Sequence, residues 1–134
     1  MKNKIFNYLK NNKVGLIFTG VVFLIVLPIY INAKLKFNNI EKEGKIGIGK
    51  FVEYKRYPKT RDYYFEYYKK GNKIRDLIKN PPKGFHTKVG NFFEIKYTEK
   101  FDDIIVNYDK EITDTIAILK AGFSREDLKN LNKD

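Results

Sequence analysis

Val14–Ala33, VGLIFTGVVFLIVLPIYINA, is an almost unbroken apolar run of twenty residues with Lys13 before it and Lys34 after it. As a helix rising ~1.5 Å per residue, such a run covers about 30 Å, the thickness of a bilayer hydrocarbon core. A small soluble domain has no use for a segment that is apolar on every face. The run therefore reads as a single membrane-spanning helix, and the lipid bilayer is the first partner the sequence implies. A cleaved signal peptide is the competing reading. Its apolar region runs about 7–15 residues and ends in a small-x-small site. This run is longer, and with Ala33 at the cleavage position Ile31 would stand where a small residue belongs. The reading adopted is an uncleaved anchor.

Within the run, the Thr19 hydroxyl can return to a backbone carbonyl. Pro28 lies near the far end, where a missing hydrogen bond is repaired by water or neighbours. Tyr30 suits the interface. Gly15 and Gly20 are five apart, not the four that let two helices approach closely, so the helix reads as a lone anchor facing lipid. Orientation is finely balanced. Lys2, Lys4, Lys10 and Lys13 precede the run, and Lys34, Lys36, Lys42 and Lys45 follow it. The short, acid-free N-terminal tail is nonetheless the usual layout of a signal anchor. The expectation is a bacterial plasma membrane location, with the N-terminus in the cytoplasm and the C-terminal region outside it.

Charge supports a membrane-flanking collar more than a nucleic-acid surface. The formal net charge is +11, yet residues 1–39 hold six lysines and no acid, while residues 40–134 hold twenty-one basic and sixteen acidic side chains. More than half of the excess thus hugs the anchor, where each lysine near anionic headgroups is worth about 1 kcal/mol. A domain outside the cytoplasm would rarely meet nucleic acid. There is no cysteine, which excludes disulfides, thiolate metal sites and cysteine nucleophiles.

Beyond the anchor the chain divides into a polar linker over 34–44, a small β-domain over 45–112 and a helical tail over 113–134, with residues 1–13 as the basic N-terminal tail. The linker could also prolong the anchor helix by a turn or two. From residue 45 the pattern becomes twofold, the mark of strands. The first strand is read over Lys45–Tyr57, with Ile46, Ile48, Val52 and Tyr54 on one face, which Lys50 interrupts, and Gly47 and Gly49 on the other. Those glycines suggest a bulge or a close backbone approach. The second strand, Asp62–Lys69, is the most aromatic part of the chain. Gly71-Asn72 supplies a tight hairpin into a third strand, Lys73–Lys79. A fourth, Asn91–Thr98, and a fifth, Asp103–Tyr108, complete the set. In the tail, Thr113 or Asp114 caps a helix over Thr115–Ala121, Gly122 ends it, and Ser124 with Asp127 forms a capping box for a final short helix. The fold class is mainly β: a transmembrane helix, then an antiparallel five-stranded curled sheet or small barrel of SH3- or OB-like kind, then one or two short helices.

The chain resembles a family of small uncharacterised bacterial envelope proteins with one N-terminal membrane helix and a compact β-domain. The residues that carry the resemblance are Ile48-Gly49-Lys50-Phe51, Tyr64-Phe65-Glu66-Tyr67 with the hairpin at Gly71, Val89 to Tyr97, and the Ile104–Tyr108 strand. It spans roughly Gly44–Glu111 and implies the fold and membrane attachment, but no functional residue.

Candidate chemistry is sparse. His86, the one histidine, has neither a second metal ligand nor a nucleophile at suitable spacing. Asp102 and Asp103 are adjacent, and neighbours in a strand point to opposite faces. The GKIGIG run at Gly44–Gly49 has no following helix to place on a phosphate. No catalytic residue, metal or cofactor is assigned, and the chain is read as a non-enzyme. One feature has binding character: the tyrosine-rich second strand, flanked by Arg56, Lys59, Arg61, Lys69 and Lys70. Tyr64, Tyr68, Arg56, Arg61 and Lys69 are the candidate ligand or partner surface, since aromatic faces beside cations hold bases, sugars or headgroups. The expected function is a membrane-anchored interaction module, an accessory subunit contacting other membrane or envelope proteins. The alternative is a binding domain for an anionic polymer or lipid headgroup.

Overall fold

The computed structural model describes residue 7 and residues 12–131, so most of the basic tail expected over residues 1–13, and residues 132–134, lie outside the described residues. A single long helix, α1, spans Lys13–Glu43 and contains Pro28. Among the described residues it is the one helix long and apolar enough to cross a membrane. Thr19 Oγ1 donates to the Gly15 carbonyl at 2.8 Å, the local bond expected of a hydroxyl in an apolar helix. The expected linker is not a separate segment. Helix α1 continues through it to Glu43, and the chain divides into two compact units between Phe37 and Asn38. Lysine, leucine, asparagine and glutamate in 34–43 include good helix formers and no breaker before Gly44. Within the second unit, Ile40 is buried and Lys96 Nζ donates to the Glu41 carbonyl at 3.1 Å.

Five antiparallel strands follow: β1 (Lys45–Arg56), β2 (Arg61–Lys69), β3 (Asn72–Ile78), β4 (Phe92–Tyr97) and β5 (Ile104–Ile112). Their order is β3-β2-β1-β4-β5, so the sheet is open, with β1 central and β3 and β5 at its edges. At the β2–β3 hairpin, Lys69 pairs with Asn72, and Lys70 (φ 52°) and Gly71 (φ 77°) take the two positive-φ positions. The turn is therefore Lys70-Gly71 rather than the expected Gly71-Asn72, and lysine accepts the left-handed position at modest strain. Strand β5 runs four residues past the expected Tyr108. Its later pairs, Phe93 with Glu111 and Phe92 with Ile112, lie beyond a register shift.

The face assignment along β1 changes at a bulge. Phe51 pairs with Phe65 and Glu53 with Tyr64, leaving Val52 unpaired. One extra residue reverses the alternation. Gly47, Gly49 and Phe51 line the inner face before the bulge, and Tyr54 lines it afterwards. Ile46, expected to share a face with Tyr54, lies on the opposite one and is 67% exposed. The glycines are required for packing. A Cβ on Gly47 would meet Tyr97 Cε1 at 2.7 Å, and one on Gly49 would meet Ile95 Cγ2 at 2.9 Å.

The inner face holds the main core: Phe51, Tyr63, Phe65, Tyr67, Ile78, Phe93, Ile95, Ile104 and Val106, closed by Phe85 from a 3-10 turn at Phe85–Lys88. Phe85 lies within 5.0 Å, centroid to centroid, of Phe51, Phe93 and Tyr108. Edges β3 and β5 are clasped by side chains instead of a ladder. Asp76 Oδ2 accepts from the Ile104 amide at 3.1 Å, and Oδ1 accepts from the Leu77 amide at 2.8 Å. Alongside, the Tyr67 hydroxyl donates to the Asp102 carbonyl at 2.8 Å, and burial pushes that phenol upward, keeping it a donor.

The outer face is partly covered by the tail. Helix α2 (Thr115–Lys120) is capped by Asp114, whose carboxylate accepts from the Ile116 and Ala117 amides. Phe92 and Ile118, both fully buried, meet Phe123 and a rim of Ile48, Tyr68, Ile112, Leu128 and Leu131. Gly122, at φ 107°, lies against Tyr68, where a Cβ would come within 2.8 Å of Cγ. The expected capping box forms: Asp127 Oδ2 accepts from the Ser124 amide at 2.9 Å, and Ser124 Oγ accepts from the Asp127 amide at 3.3 Å. It precedes a 3-10 turn, Glu126–Asn130. Lys50, only 8% exposed, donates to the Asp127 carbonyl at 2.9 Å and reaches its carboxylate at 3.3 Å.

Asp76→Ala should lower unfolding free energy by about 1–3 kcal/mol, because two amides lose their acceptor. Asp76→Asn should cost less, and denaturant titration of the full chain in detergent, followed by tyrosine near-ultraviolet circular dichroism, checks both. Acid should release the tail. Burial opposes ionisation of Asp127, but its Ser124 bonds and Lys50 together hold the carboxyl below its ordinary value of 3.8. A depressed folded pKa gives stability that is complete above 3.8 and lost as pH falls from there through the folded value. Amide exchange over residues 115–131 should accelerate across that window, and Lys50→Met should raise it about tenfold at neutral pH.

Candidate functional site

The five candidate residues fall into two groups. Tyr64 and Tyr68 project from β2 onto the outer face, where the protein's own groups meet their rings. The Arg75 guanidinium stands 4.6 Å from the Tyr64 centroid and Lys55 Nζ stands 5.5 Å from it. Arg75 is held there by Glu53 and Glu66, and Lys73 also pairs with Glu66 at 3.4 Å. These are register neighbours, since Glu66 pairs with Arg75 and Tyr64 with Leu77 across β2 and β3. Tyr68 packs edge-on against Phe123 at 5.2 Å. Lys69 turns away, its side chain 12% exposed, to donate to the Phe101 carbonyl at 3.1 Å and to pair with the Asp102 carboxylate. That pairing is invisible to local sequence reasoning, because the partner lies thirty-three residues away.

Arg56 and Arg61 are brought together at the end of the sheet. They pair directly across β1 and β2, and the connection Tyr57-Pro58-Lys59-Thr60 is closed by the Tyr57 amide donating to the Thr60 carbonyl at 2.9 Å. Directly opposed side chains in an antiparallel pair have Cβ atoms about 4.5–5.5 Å apart, and like charges there repel. A groove of about 610 Å³ opens beside the turn, lined by Arg56, Lys59, Arg61 and Lys79, with Asp62 as its one carboxylate and Tyr57, Pro58 and Pro81 among its apolar walls.

Lys79 was not among the candidate residues. Counting back from the hairpin finds it: Tyr63 pairs with Ile78, so the next residue of the returning chain lands beside Asp62. Several other cations of the folded unit are paired with acids. Lys45 and Lys70 pair with Glu99, Lys88 with Glu111, and Lys110 with Glu94. The side chains of Arg56, Lys59, Arg61 and Lys79 have no hydrogen bond or ion pair among the described residues.

His86 is exposed on the 3-10 turn, its ring 5.3 Å from Tyr54. Asp102 and Asp103 lie in the β4–β5 connection, with Asp102 taken up by Lys69 and Tyr67. Among the described residues no group of three His, Cys, Asp or Glu is placed to hold a metal ion. Comparison with protein families, curated proteins and solved structures finds no match to this chain.

The opposed arginines carry a stability cost. Arg61→Glu should raise unfolding free energy by roughly 0.2–0.5 kcal/mol at low salt, by turning a repulsive cross-strand pair into an attractive one. The gain should shrink in high salt as the charges are screened, which parallel denaturant titrations would show.

Proposed function

We propose that this chain is a membrane-anchored, non-enzymatic interaction module. Its α1 helix holds the folded unit at a bacterial plasma membrane, where that unit serves as an accessory subunit of an envelope complex. The observation that carries the reading is the fusion of one span-length apolar helix to a single small sheet. The sheet's surfaces are already committed in most places. Its inner face is a closed aromatic core, and much of its outer face is covered by the tail or crossed by ion pairs. What stays open is the cationic end of the sheet, a surface for contact. The acid-free N-terminal flank supports a cytoplasmic N-terminus and an external folded unit.

A second reading, a binding domain for an anionic polymer or a lipid headgroup, is favoured by one observation. Four cations without acidic partners share a groove. The two readings are compatible, because a subunit can carry a ligand site.

The expected outcome for the anchor is retention of the full chain in the membrane pellet after alkaline carbonate washing. A C-terminal tag should be cleaved in cells whose outer layer alone is permeabilised, and mild-detergent purification should return a second membrane protein in stoichiometric amount. Extraction by carbonate would overturn anchoring. A tag protected until the plasma membrane is lysed would overturn the orientation. A solitary chain in mild detergent would overturn the accessory-subunit role.

A further inference from the structure

We infer that the groove at the β1–β2 turn is a phosphate-binding site. Arg56 and Arg61 act as paired forks, with Lys59 and Lys79 as flanking point charges. This rests on reading the folded unit as a binding module, and it relocates the binding surface from the tyrosine face of β2 to the end of the sheet.

Three observations converge. The first is placement: β1 and β2 bring two arginines into direct opposition, the tight turn adds Lys59, and the returning β3 strand delivers Lys79 to the same groove. The second is selective pairing. Most of the sheet's other cations reach a carboxylate, Lys50 and Arg75 included, and Lys96 reaches a backbone carbonyl, yet these four have no acid at hydrogen-bond distance among the described residues. Asp62 lines the groove, and its carboxylate accepts from the Tyr64 hydroxyl at 3.4 Å. The third is shape. A groove of about 610 Å³ with Tyr57, Pro58 and Pro81 in its walls suits an anionic group carried on an extended backbone. Opposed guanidinium groups present parallel N–H donors that match the oxygens of a phosphate bidentately, and ammonium groups add charge without fixed direction. A single carboxylate would leave half of those donors idle, whereas a phosphoester presents several oxygens and neighbouring charges.

The ligand is therefore a phosphate ester or anhydride, supplied by a lipid headgroup or by a soluble phosphate polymer. The test uses the full chain in nanodiscs of zwitterionic lipid, with inorganic polyphosphate as the probe and titration calorimetry at low and at physiological salt. Binding by the wild type should weaken by about tenfold or more in the R56Q/R61Q variant. It should change by less than about twofold in K120Q/R125Q, which removes the same charge from exposed positions elsewhere. Equal weakening by both variants would reduce the effect to diffuse charge and overturn the site. Equal affinity for polyaspartate would overturn the phosphate assignment. No binding by the wild type would overturn the inference, and persistence of carbonate-resistant anchoring with a stoichiometric partner would show that it fails alone. Exchanging the disc lipid for phosphatidylglycerol separates the sources. Displacement of polyphosphate in wild type, but not of its residual binding in R56Q/R61Q, assigns the site to headgroups. Undisturbed binding assigns it to a soluble polymer.

Discussion

Strand β1 is hydrogen-bonded along both edges, and its first half has no side chain on the inner face beyond Gly47 and Gly49. Ile95 and Tyr97 from β4 lie over the bare backbone, close enough that a methyl group at either glycine would collide with them. This close approach lets a small sheet curl until its two ends nearly meet. The curl in turn allows Asp76 on β3 to bond to the Ile104 amide of β5 across a gap that no ladder spans. A half-buried acceptor of two backbone amides is a costly group to lose. The clasp therefore works because the glycines first permit the curvature. Five phenylalanines and tyrosines of the core pack in the space so enclosed, with Phe85 inserted from a loop as the cover.

The outer face is governed by polar economy. Lys50 sits in the middle of it, opposite Phe92 and Glu66, and a tail that covers this face must also pair its charge. The tail answers with a carbonyl and a carboxylate from one residue, Asp127, whose geometry is itself set by Ser124. Burying a charge is tolerable only with such partners. The same residue that breaks the hydrophobic pattern of β1 thus specifies where the tail docks. At the far end of the sheet the opposite arrangement holds: arginines face each other without an acid, and local stability is given up where a ligand could restore it.

The strand pattern was legible because β1 to β5 alternate with short turn signals, and the elements match to within a residue or two except at the end of β5. The tail caps at Asp114 and Ser124 were legible for the same local reason, since a cap is a contact over three residues. Long-range consequences were not. Lys50 read as an interruption because its partner lies seventy-seven residues on. The bulge at Val52 leaves no mark in composition, so the faces of Ile46 and Tyr54 were wrongly joined. For the candidate site, Arg56 and Arg61 could be placed from the hairpin alone. The fates of Tyr64, Tyr68 and Lys69 depended on Arg75, Phe123 and Asp102, each contributed by another segment.

The open seam between β3 and β5 has a consequence for how copies of the chain coexist. An open sheet leaves two rows of unsatisfied amides and carbonyls, each a template on which another chain could add a strand. Tethering of the proposed kind confines copies to two dimensions and multiplies such encounters. Both edges are armed against it. Strand β3 carries Lys73 and Arg75, and the last part of β5 carries Asp109, Lys110 and Glu111. A second strand laid along either edge would have to strip water from those charges without replacing it. The same side chains that brace each edge within the molecule thus keep crowded neighbours separate, and a lawn of anchored domains can stay a population of individuals rather than knit into a continuous sheet.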